Sequence, residues 1–222
     1  MSPYRFRAVT EADLPLLGRW RAAPHVAAWW GPPEVEDAAV SLADPRIAMW
    51  IVAHSGQPFA YAQDYRPRDW ESHPFAHLPE AARGIDHYIG EPDMIGRGHG
   101  GAFIRLHCER LFAAGAPAIG TDPNPDNGRA IRAYQKAGFE RASGPVDTRW
   151  GRAVLMERWR DEPQARLHRI GGDSARQDSA AVPMMLTPNR RKTWPKQHGA
   201  RSRLMASRSP TPSPIPRRAS TS

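Results

Sequence analysis

Cysteine occurs once in the 222 residues, at Cys108, and a lone thiol excludes an internal disulfide. Long apolar runs are missing as well: no stretch approaches the ~20 residues needed to cross a bilayer. The start, "MSPYRFRAVTEADLPLL", has no cationic flank leading into an apolar core, so no signal peptide is expected and a cytoplasmic chain is. Acidic residues thin out toward the C-terminus. Residues 1–160 hold 19 Lys+Arg against 19 Asp+Glu, whereas residues 161–222 hold 12 against 4. The formal charge of +8 therefore belongs to the last 62 residues alone. That segment, rich in Ser, Pro and Arg, has few apolar residues and no sustained period, so it cannot offset its ordering entropy and is expected to be disordered. A basic arm for nucleic acid is the sharper alternative, but Trp194 is the only aromatic that would stack on bases. Two units follow: a domain over 1–160 and a basic tail over 161–222.

The first 160 residues carry clear local signals. "YRFRAV" alternates as a strand, and Thr10 caps "EADLPLLGRWRAA", with Glu11 and Asp13 in the turn that the helix dipole favours. "HVAAWW" follows and stops at Gly31. "IAMWIVAH" and "FAYAQDY" flank "SGQP" as a hairpin over residues 47–65, and a long polar connection comes next. "RGIDHYIG" reads as a central strand, and a helix is expected from Gly100 to Gly115, with Ile104, Cys108, Leu111 and Phe112 on one buried stripe. Cys108 is thereby a core residue. "PAIGTD" is a short strand ending on a carboxylate, "NPDNGRAIRAYQKAG" a capped helix closed by Gly138, and "FERAS" and "RAVLMERW" are the last strands. The order β-α-α-β-β-β-α-β-α-β-β describes a mixed α/β domain, mostly antiparallel in its front half.

Between the central strand and its helix lies "EPDMIGRGHGGAFI". A Walker loop needs G-x-x-x-x-G-K-[ST], which "GRGHGGAF" lacks. Gly96, Gly98 and Gly101 fit the letters of a dinucleotide fingerprint, and Asp122 lies 21 residues past Gly101, but a hairpin precedes the motif and only one helix follows it. A third reading uses more residues: the amides of Arg97, Gly98, His99, Gly100 and Gly101 converge on a pyrophosphate at a helix N-terminus, with Arg97 adding a full charge.

"HVAAWWG", "YAQDY", "RGIDHYI", "GRGHGG", "TDPNPDNGRAIRAYQKAGFER" and "AVLM" together resemble a GCN5-related N-acetyltransferase (GNAT) over residues 5–158, and more narrowly the aminoglycoside 6'-N-acetyltransferases. The chain departs from many members at Ile95, where they carry Arg or Gln. The resemblance implies a GNAT-like mixed sheet, mostly antiparallel and flanked by helices, with a splay between the fourth and fifth strands. It implies acetyl-CoA as co-substrate, its pantetheine arm pairing with the edge of the strand that holds His87, Tyr88 and Ile89. A backbone N–H near His87 or Tyr88 would polarise the thioester carbonyl. Asn127 would bind the pantetheine and Tyr134 would lie near the sulfur.

Making an amide from an amine and a thioester poses two proton problems. The acceptor arrives protonated, and the leaving thiolate must be neutralised. Asp86, at the position of the family's proposed base, is the candidate for the first, as a base or as an electrostatic anchor. Tyr134 can donate its phenol proton for the second. The acceptor is expected to be cationic, steered by Asp69, Asp86 and Asp122, with Trp29 or Trp30, Tyr65 and Trp70 as flat walls for sugar rings. An aminoglycoside 6'-amine fits best; another polyamine, an amino sugar or a peptide amine stays open, as does a non-catalytic coenzyme A module with a nucleic-acid-binding tail. His73 and His77 have the spacing of a helical metal pair, but Pro74 and the lack of a third ligand argue for a loop, and no metal is expected. His25, His99 and His107 read as surface or helix-edge residues. A monomer or homodimer is expected, without membrane contact.

Overall fold

The structure, a computed structural model, describes residues 2–31 and 37–160. The expected tail therefore lies outside the described residues. Seven strands form one sheet in the order β1-β2-β3-β4-β5-β7-β6. They are β1 (Tyr4–Ala8), β2 (Ile47–His54), β3 (Gln57–Tyr65), β4 (Arg83–Ile89), β5 (Ala118–Thr121), β6 (Glu140–Thr148) and β7 (Gly151–Trp159). All neighbours are antiparallel except β4 and β5, which pair in parallel at Arg83↔Ile119 and Gly84↔Gly120. No helix among the described residues is long and apolar enough to cross a membrane.

Among the described residues, five α-helices cover the sheet: α1 (Leu14–Ala22), α2 (Pro24–Trp30), α3 (Ala38–Ala43), α4 (His99–Ala113) and α5 (Gly128–Lys136). The short α3 is absent from the sequence reading; one turn and a half carries little periodicity, and its visible signal is Asp37, whose side chain accepts the Ala39 amide at 2.8 Å. Thr10 opens a single 3-10 turn, Glu11–Asp13, before α1 begins. There the Thr10 amide and hydroxyl both donate to Asp13 Oδ2, and Arg7 grips the same carboxylate.

Period-2 alternation divides the core between the two faces of the sheet. On one, Val52, Phe59, Ile85, Ile119, Val154 and Met156 pack against Phe103, Ile104 and Cys108 of α4 and Ile131 and Tyr134 of α5. On the other, Met49, Ile51, Tyr61, Tyr65 and Tyr88 pack against Leu17, Trp20 and Val26 of α1 and α2. Each such aliphatic or aromatic side chain contributes about 1.5–3 kcal/mol on burial. The sheet is thereby clamped from both sides, and β4, buried at its centre, is held rigidly where it meets the site.

Candidate active site

The β4–β5 ladder pairs Arg83 with Ile119 and Gly84 with Gly120, and beyond Gly84 the two strands diverge. This is the expected splay. A groove starts there and ends at the glycine bend. Gly96 and Gly98 hold φ of 81° and 84°, a left-handed backbone that suits glycine, and Gly98 is the N-cap residue of α4. The first amides of α4 thus open toward the groove without intrahelical acceptors. Gly100 and Gly101 let α5 approach: a Cβ on Gly101 would stand 3.0 Å from Lys136 Cβ. Opposite the bend, α5 lines the groove with Arg129, Arg132 and Lys136. A glycine-built bend, a helix N-terminus and three cations match the bulk and charge of a pyrophosphate-bearing coenzyme. Acetyl-CoA would be held by Gly96 to Gly101, these three side chains and β4 where it parts from β5, with its thioester facing the acceptor.

Ile89, Ile95, Val26 and Phe103 supply apolar wall to the groove. His25 belongs to it too, and its Nε2–H donates to the Ile89 carbonyl at 3.0 Å, tying α2 to the end of β4.

A second cavity adjoins the first. Trp29, Trp30, Tyr65 and Trp150 wall it, and the carboxylates of Asp86 and Asp122 open into it with His73. Asp86 is fixed from beneath: Gln63 Nε2 donates to its Oδ2 at 3.0 Å, and the Tyr61 hydroxyl donates to Gln63 Oε1 at 2.7 Å. Trp30 meets Tyr61 and Tyr88 edge-on, while Trp29 lines both cavities. Tyr65 lies flat across Gly84, where any Cβ would come within 2.4 Å of the ring. His73 is buried and uncharged at neutral pH, since burial, helped by Arg149, lowers its pKa from 6.5 to about 4.

Tyr134, His87 and Asn127 stand where the cavities join. The Tyr134 phenol is buried at 6 % exposure, and its pKa is driven above the ordinary value by burial and then by the charge of Asp86. It is therefore a protonated hydroxyl at neutral pH, suited to donate. Asn127 is the N-cap of α5, its side-chain oxygen accepting the Ala130 amide at 3.0 Å. That fixes the carboxamide and leaves its NH2 for the groove.

Four expected site residues stand elsewhere. Asp69 pairs with Arg66 at 3.1 Å in a separate shallow depression with Arg46 and Arg83. Trp70 is buried in the α1–α2 side of the core, under the Arg46 guanidinium at 4.0 Å, and meets Tyr65 edge-on. It supports the cavity wall from behind. Arg97 is exposed and outside the groove lining. The His99 ring turns to the β1 side, where its Nδ1 meets the Tyr4 hydroxyl at 2.8 Å, so only its backbone belongs to the bend. His107, read as a helix-edge residue, is buried at 1 % exposure. Cys108 is buried, and burial pushes its thiol up to about 12, so it is no nucleophile at neutral pH. Among the described residues no group of three or more His, Cys, Asp or Glu is placed to hold a metal ion.

His25, His73, Trp150, Arg129, Arg132 and Lys136 also line the two cavities, beyond the residues expected from the sequence. The last three had a visible signal, since Arg129, Arg132 and Lys136 recur at helical spacing just past the Asn127 cap.

The profile of the acetyltransferase (GNAT) domain family matches residues 9–145. An aminoglycoside N(6')-acetyltransferase type 1 from Klebsiella pneumoniae is 35% identical over 165 residues, covering 68% of this chain and 80% of its own. A kanamycin resistance protein from Rhizobium radiobacter is 42% identical over 92 residues, 41% of this chain and 81% of that protein. Among solved structures, aminoglycoside acetyltransferase AAC(6')-Ib in complex with coenzyme A and kanamycin superposes with a TM-score of 0.64 at 34% identity, covering 73% of this chain and 96% of the other. The chain belongs to the GNAT acetyltransferase family.

Proposed function

We propose that this protein transfers acetyl from acetyl-CoA to a primary amine of a cationic small molecule, the 6'-amine of an aminoglycoside being the foremost acceptor. The observation that carries the reading is the junction itself. A cation-lined, glycine-bent groove and an aromatic cavity holding two carboxylates meet at one buried tyrosine, beside the point where β4 and β5 part. The relatives named for aminoglycosides, and a fold neighbour holding coenzyme A and kanamycin, support the same choice. Asp86 and Asp122 pair with the ammonium groups of the acceptor, and the indole and phenol rings lie against its sugar faces. Asp86, directly or through water, takes the first proton, and Tyr134 gives its own to the departing sulfur. Asn127 and β4, where it parts from β5, hold the pantetheine arm. Residues 1–160 form the acetyltransferase domain, and acetyl-CoA places the work in the cytoplasm.

The test is direct. The purified full chain is incubated with acetyl-CoA and kanamycin, ribostamycin or simple polyamines while free thiol is followed. Thiol release with an acetylated aminoglycoside is the expected result. No release above the hydrolysis blank across the panel ends the reading.

A further inference from the structure

Behind Tyr134 a line of polar side chains continues into the core. His87 Nδ1 stands 3.4 Å from the Tyr134 oxygen, His87 Nε2 stands 2.9 Å from His107 Nδ1, and His107 Nε2 stands 3.3 Å from Asp64 Oδ2. Asp64 is anchored in turn by Arg83 and by the Trp50 indole N–H at 2.7 Å. Asp64 and His107 are 3 % and 1 % exposed. An aliphatic residue at 107 would continue the buried face of α4 at lower cost, because burying an imidazole forfeits its hydration. The acid–base roles given to Asp86 and Tyr134 use neither histidine side chain.

The direction of each hydrogen bond follows from the far end. An ionised carboxylate only accepts. Burial alone would raise the pKa of Asp64, but His107, Arg83 and Trp50 more than reverse this and hold it at about 2. His107 Nε2 therefore carries a hydrogen. Burial keeps His107 neutral, so its Nδ1 is bare and accepts from His87 Nε2–H. His87 is likewise kept neutral by burial. Its Nδ1 consequently presents a bare lone pair to Tyr134 at the junction of the two cavities.

We propose that His87 is a proton station for Tyr134, and that His107 and Asp64 are positioning residues that decide which of its ring nitrogens carries the hydrogen. The inference rests on the acetyl-transfer reading. An acceptor ammonium must shed two protons, and sulfur takes only one. Once the first has gone to Asp86 or solvent, the amine nitrogen bonds to the thioester carbonyl carbon and still holds a proton in excess. That proton passes to His87 Nδ1, while the Nε2 hydrogen of His87 shifts to His107 Nδ1. The positive charge thus lands on the imidazole paired with Asp64, an Asp–His arrangement extended by one ring. As the C–S bond breaks, its electron pair goes to sulfur, which takes the Tyr134 hydroxyl proton. The phenolate recovers a proton from His87 Nδ1, and His107 returns the shifted hydrogen. The products are amide, thiol and one proton in solvent, with all the side chains restored.

The tautomers are read without turnover, by long-range 1H–15N correlation of the imidazoles in the 15N-labelled full chain with free coenzyme A added. Neutral rings with hydrogen on Nε2 are expected at both His87 and His107. Asp64→Asn places an amide N–H against His107 and reverses every link, so His87 should then carry its hydrogen on Nδ1. In that variant kcat should fall about ten-fold or more, with KM for acetyl-CoA held within about two-fold. His87→Gln keeps a polar group beside Tyr134 but cannot carry a proton, and it should show the same split, which covers a failure of Asp64→Asn to fold. An Nδ1–H or doubly protonated His87 in the unmutated chain, or a His87→Gln kcat within about two-fold of the parent, overturns the inference while thiol release persists. A parent chain that releases no thiol with any amine ends the acetyl-transfer reading and this inference with it.

Discussion

A tyrosine buried where two cavities meet is a poor choice for packing and a good one for chemistry. The Tyr134 phenol keeps its proton because burial and the nearby Asp86 charge disfavour the phenolate. The acid role proposed for it would therefore show in kcat. Tyr134→Phe should lower kcat by about a hundred-fold while acetyl-CoA affinity, by titration calorimetry, moves less than about two-fold. Equal turnover in the two proteins would remove the acid role. His73 leaves a different mark. Its folded pKa, about 4, lies below its ordinary 6.5, so between those values the unfolded chain binds the extra proton. Stability contributed by neutral His73 is present above about 6.5 and lost as pH falls toward 4, by roughly 3 kcal/mol at most. His73→Gln should flatten that acid limb in urea melts taken across the range, and an unchanged slope would show that the ring titrates normally.

At the scale of elements, β4 and the bend were legible because their signals are local. Glycines at 96 and 98 announce positive φ, and the run "RGIDHYI" has the apolar spacing of a central strand. Asn127 likewise stands at a cap that its neighbours require. Asp69 and Trp70 were misplaced for the opposite reason. They follow β3 at the start of a connection whose path depends on contacts with Arg66 and Arg46, not on period. Trp150 and His73 reach the cavity from segments far apart in sequence, and their rings approach to 4.8 Å. His107 could have been found. It sits three residues past Ile104 and four before Leu111, on the stripe already assigned to the core. The flat seat of Tyr65 on Gly84 gives a test of how elements shape the cavity. Gly84→Ala puts a methyl group where the ring lies, so Tyr65 must leave its place against Trp70 and His73. The expected cost is about 1–3 kcal/mol in folding, with KM for the amine raised and acetyl-CoA binding intact. An unaltered amine KM would exclude Tyr65 from the acceptor wall.

For the whole molecule, the charge map separates a neutral unit from a basic one. The last described strand ends at Trp159, and the Arg160 amide closes on the Pro117 carbonyl at 3.0 Å. Ending the chain after Arg160 should leave acetyl transfer within about two-fold, measured as thiol release under the same conditions. A larger loss would give residues 161–222 a part in the reaction. The parting of β4 from β5 has a cost outside catalysis. Midway across a sheet, the slot left where the β4–β5 ladder stops is a place where an extended segment of a neighbouring copy would compete with pantetheine. Coenzyme A then doubles as a stopper for that slot: added in excess, it should delay the onset of light scattering on heating, beyond what its binding energy adds to the melting temperature.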